Sequence, residues 1–265
     1  MHGLGNDFVV IDARDKPVAM TESRARAMGD RRAGIGFDQL VLIESSDVAD
    51  ARLRFFNSDG SEVGACGNGT RAAALLIGKP TSFETSGGLL QASVEGDIAR
   101  VDMGEPRFEW EAIPLAYAMD TTTLPVSWDD FEGPSAVNVG NPHVVLFRNG
   151  SDSVMARRVV NEGPIIETDP LFPERVNVNF ARVDAPDRIA LWTWERGVGH
   201  TRACGTGACA TAVSAIRTRR AASPIIVSQP GGDVTIEWSE GSSIIMTGPA
   251  THVFTGELDI DQFGP

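Results

Sequence analysis

The chain has 265 residues and a mass of 28.3 kDa, enough for one large domain or for two domains of about 130 residues each. Its hydrophobic (42%) and charged (22%) fractions are those of globular proteins and exclude a disordered or fibrous chain. A net charge of −13 argues against binding to nucleic acid or to an anionic membrane surface, so an anionic substrate would need a local positive site.

The start of the chain and its rarer residues narrow the class further. MHGLGNDFVVID lacks the pattern of a signal peptide and no apolar run reaches membrane-spanning length, so we expect a cytoplasmic protein. The three cysteines are too few for a disulfide framework, and no cluster of ligand residues has the spacing of a zinc site. The two lysines, Lys16 and Lys79, lie outside any motif that would suggest a Schiff base. We therefore expect no metal site, and neither lysine indicates a Schiff-base cofactor.

An internal repeat organises the chain. GNDFVV from Gly5 matches GNPHVV from Gly140, and ACGNG from Ala65 matches ACGTG from Ala203. Two further matches follow in the same order, GG at 87–88 with GG at 231–232, and MG at 103–104 with TG at 247–248. Four matches in one order predict two homologous domains.

In chain order, each copy reads as strands, a glycine-bearing loop with a Cys-Gly-x-Gly turn, a helix and further strands. The helices after Cys66 and Cys204 are rich in alanine and apolar on several faces, which is typical of buried helices. We predict an α+β fold of two pseudo-symmetric domains, each an antiparallel half-open barrel of strands around a central helix. The first is expected to comprise residues 1–112, completed by a C-terminal strand at 251–265, and the second residues 113–250.

The two cysteines before these helices are the candidate residues for proton transfer. A sulfur at a helix start faces unpaired backbone N–H groups and the positive end of the helix dipole, which favours thiolate over thiol. The glycines that follow allow a ligand to approach the backbone, so each motif combines a proton-transferring sulfur with a cradle for a carboxylate. If the two motifs face each other, one sulfur removes a proton from a carbon and the other delivers one to the opposite side, which inverts a stereocentre.

Alternative roles for the cysteines and glycines of these motifs stay open. Cys209 is expected to be a buried packing residue, and a redox dithiol would usually have a C-x-x-C pair. Residues 67–72 and 205–210 also fit the loose dinucleotide pattern G-x-G-x-x-A. Neither is followed by an acidic residue on a second parallel strand about 20 residues later, which argues against a nucleotide site.

Several motifs resemble those of one known family. They are MHGLGNDFVVID, GIGFDQL, FFNSDGSEVGACGNGTR, GNPH, ERVN, WERGVGHTRACGTGACA and PGGDVTIEW through MTGPATHVF, which together extend over nearly the whole chain. These are similar to the motifs of diaminopimelate epimerases. The resemblance implies interconversion of LL- and meso-diaminopimelate for lysine and peptidoglycan precursors, without cofactor or metal, by a homodimer of two-domain chains.

The resemblance also implies roles for individual residues. Cys66 and Cys204 would be the acid/base pair, and the backbone of 67–68 and 205–206 would hold the carboxylate at the reacting carbon. The substrate-binding residues implied are Asn6, Gln39, Asn57, Gly67, Asn68, Asn141, Asn177, Glu195, Arg196, Gly205 and Thr206. A guanidinium fork suits the distal carboxylate, and Glu195 suits an ammonium group. Glu195 and His143 are expected to support catalysis, although a histidine before two valines is also a common core residue.

Two alternative functions remain. A proline or hydroxyproline racemase-like enzyme would also use two cysteines, but Arg196 and the amide side chains favour a substrate with a second amino-acid head group. A thiol redox protein belongs to a different class and would form a reducible cross-link instead of exchanging an α-proton.

Overall fold

A computed structural model describes residues 1–64, 66–128 and 131–264. The chain divides into two compact units, one formed by Met1–Asp102 with Gly248 onward and the other by Met103–Thr247. No helix in the described ranges is long and apolar enough to cross a bilayer.

The first unit contains a curled sheet with two helices. Its elements are β1 (His2–Gly3), β2 (Asn6–Asp12), α1 (Glu22–Gly29), β3 (Gln39–Glu44), β4 (Ala51–Asn57), β5 (Glu62–Val63), α2 (Gly67–Ile77), β6 (Thr81–Thr85), β7 (Gly88–Glu95) and β8 (Ile98–Asp102). The strand order is β1-β2-β3-β4-β6-β7-β8, and β5 pairs with β4. Helix α2 packs against β1 and β2 at one end of this order and against β7 and β8 at the other, so the sheet curls around it.

The second unit repeats this arrangement. Its elements are β9 (Ser127–Trp128), β10 (Phe131–Glu132), β11 (Ser135–Asn138), β12 (Pro142–Phe147), α3 (Asp152–Glu167), β13 (Asn177–Ala185), β14 (Arg188–Glu195), β15 (Gly199–Thr201), α4 (Gly205–Arg217), β16 (Ile225–Gln229), β17 (Gly232–Glu237) and β18 (Ile245–Pro249). The order β11-β12-β13-β14-β16-β17-β18, with β15 on β14, matches the first unit strand for strand. The predicted α+β fold with a half-barrel around a central helix is thereby confirmed.

The sheets are mixed, whereas the sequence predicted antiparallel barrels. Strands β2 and β3 are parallel, as are β4 and β6, β12 and β13, and β14 and β16. Each of these pairs is joined through a helix, and a helical crossover returns the chain in the same direction. The antiparallel prediction was wrong because it did not include the outer helices α1 and α3 and did not treat the predicted helices α2 and α4 as crossovers.

Alternate residues of the central strands face different helices, because side chains alternate across a strand. In the first unit, Leu40, Leu42 and Phe56 form a core with α1, whereas Val41 and Phe55 contact Gly69 in α2. In the second unit, Val178, Phe180 and Trp192 pack in a core that includes Met155 and Val159 of α3. The strand faces toward α2 and α4 therefore lie beneath the two cysteine turns, and each such face is called the floor of its turn.

The C-terminal segment differs from the prediction of a strand at 251–265. Thr251 forms an isolated bridge to His2, and the rest of the described segment is irregular apart from a 3₁₀ helix at Ile260–Phe263. The segment is attached through side chains, since Arg24 donates to the Gly264 carbonyl at 2.8 Å. The strand prediction was wrong because pairing with β1 is limited to the bridge at Thr251, and residues 252–264 pair with no strand.

Candidate active site

Both cysteines occupy the N-cap position of a central helix. Cys66 precedes α2 in an extended conformation, and its Sγ accepts the Gly69 N–H at 3.1 Å. Cys204 precedes α4 in the same way, with its Sγ accepting the Gly207 N–H at 3.3 Å. A cap is usually an oxygen of Ser, Thr, Asp or Asn, so a sulfur in this role at two equivalent helices sets these residues apart.

The backbone of each first turn suits a carboxylate. The N–H groups of residues 67–68 and 205–206 belong to the first turns, where amides have no partner within the helix. Neither turn carries an acidic side chain that would compete for these donors. The helix dipole adds partial positive charge at the same place, so an anion bound there would lie beside the capping sulfur.

In the first unit, a chain of amide side chains leads from Cys66. The Cys66 thiol donates to Gln39 Oε1 at 2.7 Å, and Gln39 Nε2 donates to Asn57 Oδ1 at 3.0 Å. Asn57 Nδ2 continues the chain to the Ser61 hydroxyl at 3.1 Å. Because the Gln39 carbonyl oxygen can only accept, this sulfur carries its proton in the structure.

A second network fixes Asn6 and Asn68. Asn6 Nδ2 donates to Asp38 at 3.0 Å, and Asp38 also accepts from Arg31 at 2.7 Å. On the other side, Asn68 Nδ2 donates to Asn6 Oδ1 at 3.3 Å, and its Oδ1 accepts from Arg71 at 2.9 Å. The Arg71 side chain is fully buried and also donates to the Pro249 carbonyl. The positions of both predicted binding amides therefore depend on charged residues that the sequence motifs did not single out.

Cys204 lies in a different electrostatic environment. Burial raises the pKa of the Cys204 thiol well above its usual value, and the nearby Glu195 carboxylate raises it further. Hydrogen bonds from Thr206 and from the Gly207 N–H lower the pKa only in part. The expectation that the helix start favours thiolate is thus wrong for Cys204, because desolvation of the buried thiol outweighs the helix dipole.

His143 forms part of a buried hydrogen-bond chain. Asn179 Nδ2 donates to His143 Nδ1 at 3.0 Å, so the imidazole proton lies on Nε2, which donates to Asn141 Oδ1 at 2.8 Å. Complete burial, with the positive charge of Arg196 as a smaller cause, lowers the pKa of His143 to about 3. The ring is therefore neutral near pH 7. Its hydrogen bond from Asn179 fixes the ring, and its hydrogen bond to Asn141 fixes the Asn141 side chain.

Asn177 and Arg196 meet where β13 begins and β14 ends. Asn177 Oδ1 accepts the Arg196 backbone N–H at 2.9 Å, and Asn177 Nδ2 donates to the Pro142 carbonyl at 2.8 Å. The Arg196 guanidinium is half-buried and donates to the Glu174 carbonyl at 3.1 Å. Next to it, the Glu195 carboxylate accepts from the Thr201 hydroxyl. Consecutive residues at the end of β14 thus supply an anion and a cation, the first bonded to Thr201 and the second to Glu174.

Strand pairing shows which positions of the two copies correspond. Phe8 pairs with Gln39 in the first copy, and His143 pairs with Asn177 in the second, so Gln39 and Asn177 occupy equivalent positions. Gln39 also pairs with Asn57 on the neighbouring strand. The equivalents of Val41 and Phe55 under α2 are Asn179 and Thr193 under α4. The floor beneath the Cys66 turn is therefore apolar, whereas the floor beneath the Cys204 turn is polar and hydrogen-bonded, with Thr193 donating to Asn179 at 3.2 Å.

This difference predicts unequal effects of one substitution in the two copies. A Cβ at Gly207 would lie 2.6 Å from Asn179 Oδ1, whereas a Cβ at Gly69 would lie no closer than 3.1 Å to any of its neighbours. We expect Gly207→Ala to destabilise the protein by about 1–3 kcal/mol because the Asn179 amide must move, and Gly69→Ala to cost less than about 1 kcal/mol. Urea unfolding of both variants measures the difference. An equal or larger cost for Gly69→Ala would contradict the packing described.

Several residues of the site were not identified from the sequence. Gln229, Asp38, Arg71, Asn179 and Thr193 contact the predicted residues but belong to no familiar catalytic pattern. Aligning the two repeats position by position would have drawn attention to Asn179 and Thr193, as polar residues where the first copy has Val and Phe. Among the described residues, no group of three or more His, Cys, Asp or Glu side chains is placed to hold a metal ion.

The chain is similar over most of its length to proteins of one family. A family model described as diaminopimelate epimerase matches residues 1–109 and 135–253. The diaminopimelate epimerase of Rhizorhabdus wittichii is 60% identical, with the alignment covering 100% of this chain and 96% of that protein. The corresponding protein of Sphingopyxis alaskensis is 58% identical over 100% of this chain and 97% of its own length.

Solved structures support the fold. A probable proline racemase from Agrobacterium radiobacter aligns with a TM-score of 0.70 at 16% identity, covering 100% of this chain and 93% of its own. A hydroxyproline epimerase from Agrobacterium vitis gives 0.65 at 16% identity, covering 94% and 87%. At these identities the similarity shows a shared fold and carries no substrate assignment.

Proposed function

Because the chain belongs to the diaminopimelate epimerase family, we propose that it interconverts LL- and meso-2,6-diaminopimelate by proton transfer between two cysteines. The observation that carries the mechanism is the duplicated cap, in which Cys66 and Cys204 each sit at the start of a buried helix beside its first-turn amides. The enzyme is an isomerase, and its reaction serves lysine and peptidoglycan precursor synthesis.

The proposed chemistry balances with the two sulfurs alone. One thiolate takes the α-proton and becomes a thiol, which leaves a carbanion stabilised by the adjacent carboxylate. The other thiol delivers its proton to the opposite side of the carbon and becomes the thiolate. The first-turn amides of 67–68 and 205–206 hold the carboxylate, where negative charge increases during the reaction. The proposal therefore includes no cofactor and no metal.

Substrate binding must favour the thiolate that starts the cycle. Cys66 donates a hydrogen bond to Gln39, and the Glu195 charge contributes to the raised pKa of Cys204. A substrate ammonium paired with Glu195 would neutralise that charge and lower the Cys204 pKa toward its ordinary value. Arg196 would hold the distal carboxylate, and the amides of Asn6, Asn141 and Asn177 would orient the head groups. Gln39 and Asn57 would complete the binding set near Cys66, and His143 would support it by holding Asn141.

We further propose that the two homologous domains are residues 1–112 with 251–265 and residues 113–250, which differ from the two compact units in the assignment of 103–112 and 248–250. We also propose that the enzyme is a cytoplasmic homodimer. Sedimentation in solution tests the dimer, since a dimer gives twice the mass of one chain. A single-chain mass at micromolar concentration would contradict it.

The assay that tests the function follows conversion of LL- to meso-diaminopimelate by the reduced protein, with L-proline in a parallel reaction. We expect conversion of diaminopimelate and no racemisation of proline, because proline lacks a second head group for Arg196 and Glu195. Racemisation of proline alone would favour the racemase alternative. A reducible cross-link without any α-proton exchange would favour a redox protein.

A further inference from the structure

Gln229 connects the end of β16 to the start of α4. The residue is 91% buried, and its Oε1 accepts the backbone N–H of Cys204 at 2.7 Å. The turn that follows is joined to the same loop a second time, because the Gly231 N–H donates to the Arg202 carbonyl at 2.8 Å. The position of the Cys204 main chain therefore depends directly on this glutamine.

The other end of the Gln229 amide is a buried donor with no hydrogen-bond partner among the described residues. A backbone N–H can only donate, so the bond to Cys204 fixes which atom of the amide is oxygen and which is nitrogen. The Nε2 is then the free end, and it makes no hydrogen bond with any of the residues that the structure describes. Burying a donor without an acceptor is unfavourable, and buried donors of this kind are rare in native structures.

The equivalent position in the first copy serves another purpose. Strand pairing aligns Gln229 opposite Gly232 and Thr85 opposite Gly88. The Thr85 hydroxyl donates to the Gly88 carbonyl at 2.8 Å and accepts the Gly87 N–H at 3.2 Å, so it closes its own hairpin. At Gln229 the second copy has instead a longer amide that reaches the cap of its helix. Hairpin closure therefore does not account for the glutamine.

We propose that Gln229 positions Cys204 through Oε1 and binds the substrate carboxylate at the α4 N-terminus through Nε2. The inference rests on the proposed function and adds a specificity-determining residue to it. The first turn of α4 attracts an anion at the residues that follow Cys204, and the unpartnered Nε2 belongs to the amide that holds Cys204. A carboxylate there would give the buried donor a charge-assisted bond, which is stronger than a neutral one.

Two substitutions separate the two ends of the amide. Gln229→Glu keeps an acceptor for the Cys204 N–H but replaces the donor with a group that repels a carboxylate. Gln229→Met has a similar length and removes both the acceptor and the donor. The matched control is Gln91→Glu, which places the same charge on an exposed glutamine of β7.

The experiment measures kcat and KM for LL-diaminopimelate and the unfolding temperature of each variant. We expect Gln229→Glu to raise KM about 10- to 100-fold, as the loss of one charge-assisted bond implies, and to lower kcat as well, because a second carboxylate beside Cys204 opposes its ionisation as Glu195 does. Gln229→Met should raise KM to a similar extent and also lower kcat about tenfold, because the Cys204 main chain is no longer held. Gln91→Glu should change neither constant more than about twofold.

A wild-type KM in folded Gln229→Glu would overturn the contact between Nε2 and the substrate. A wild-type kcat in Gln229→Met would overturn the positioning of Cys204. If Gln229→Glu or Gln229→Met fails to fold, Gln229→Asn is used in its place. Its shorter side chain withdraws both the amide oxygen and the amide nitrogen, so we expect the same rise in KM. If wild-type protein fails to convert diaminopimelate, the proposed function fails; if it is active and Gln229→Glu keeps its KM, only this inference fails.

Discussion

Serine in place of either Cys66 or Cys204 is expected to lower kcat for diaminopimelate epimerisation about 1,000-fold, within the range typical of general acid–base groups. A serine hydroxyl has nearly the size of the thiol but a much higher pKa, so it can cap the helix without taking a proton at neutral pH. KM should change little, because the first-turn amides and the binding side chains remain. Steady-state rates in both reaction directions measure the effect.

Cys209→Ser is the control for the loss of a thiol from this helix. Cys209 lies in the interior of α4 and is fully buried, so we expect a loss of stability with kcat retained in the folded fraction. A kcat near wild type in either Cys66→Ser or Cys204→Ser would exclude the two-cysteine mechanism. A large fall in kcat for Cys209→Ser alone would point to a different reactive sulfur.

The second large effect is expected at Arg196. Arg196→Met should lower kcat/KM for diaminopimelate about 100- to 1,000-fold, because a two-pronged, charge-assisted contact with the distal carboxylate is lost. Arg196→Lys keeps the positive charge but not the fork, so we expect it to recover only part of the loss. Kinetics of both variants on LL-diaminopimelate test this.

The lower kcat/KM of the Arg196 variants should arise mainly from a higher KM if the distal carboxylate is bound equally in the ground state and the transition state. The Asn177–Arg196 contact uses the arginine backbone, so the fold of the β14 end should survive either substitution. Full activity in Arg196→Met would show that Arg196 does not bind the substrate. The proposal of a substrate with a second carboxylate would then lack a residue to bind that carboxylate.

The sequence predicted the parts of the fold that the duplication makes visible. Repeated GN, ACGxG and GG motifs indicated two copies, and the alanine-rich segments after Cys66 and Cys204 indicated two buried helices. The prediction of antiparallel sheets failed because strand direction depends on helical crossovers. The predicted strand at 251–265 failed because pairing with β1 ends at Thr251 and the described residues after it pair with no strand.

The site was harder to predict than the fold, because its electrostatics arise from tertiary contacts. A helix start favours a thiolate, but burial and Glu195 reverse that preference at Cys204, and neither effect is visible in RACGTG. Likewise, Gln229 lies 25 residues after Cys204 and reaches its backbone only through the folded sheet. Asp38 and Arg71 hold Asn6 and Asn68 through contacts that likewise form only in the folded first copy.

The most direct test of the two-cysteine account is the early distribution of deuterium when LL-diaminopimelate reacts in D₂O. Because one sulfur removes the proton and the other delivers a solvent-derived one, meso product should carry one deuterium at the inverted α-carbon from the first turnovers. Unreacted LL substrate should still carry hydrogen at that stage. Meso product that retains the substrate's own proton, or deuterium that enters LL substrate as fast as product, would show that a single base serves both sides and would contradict the account.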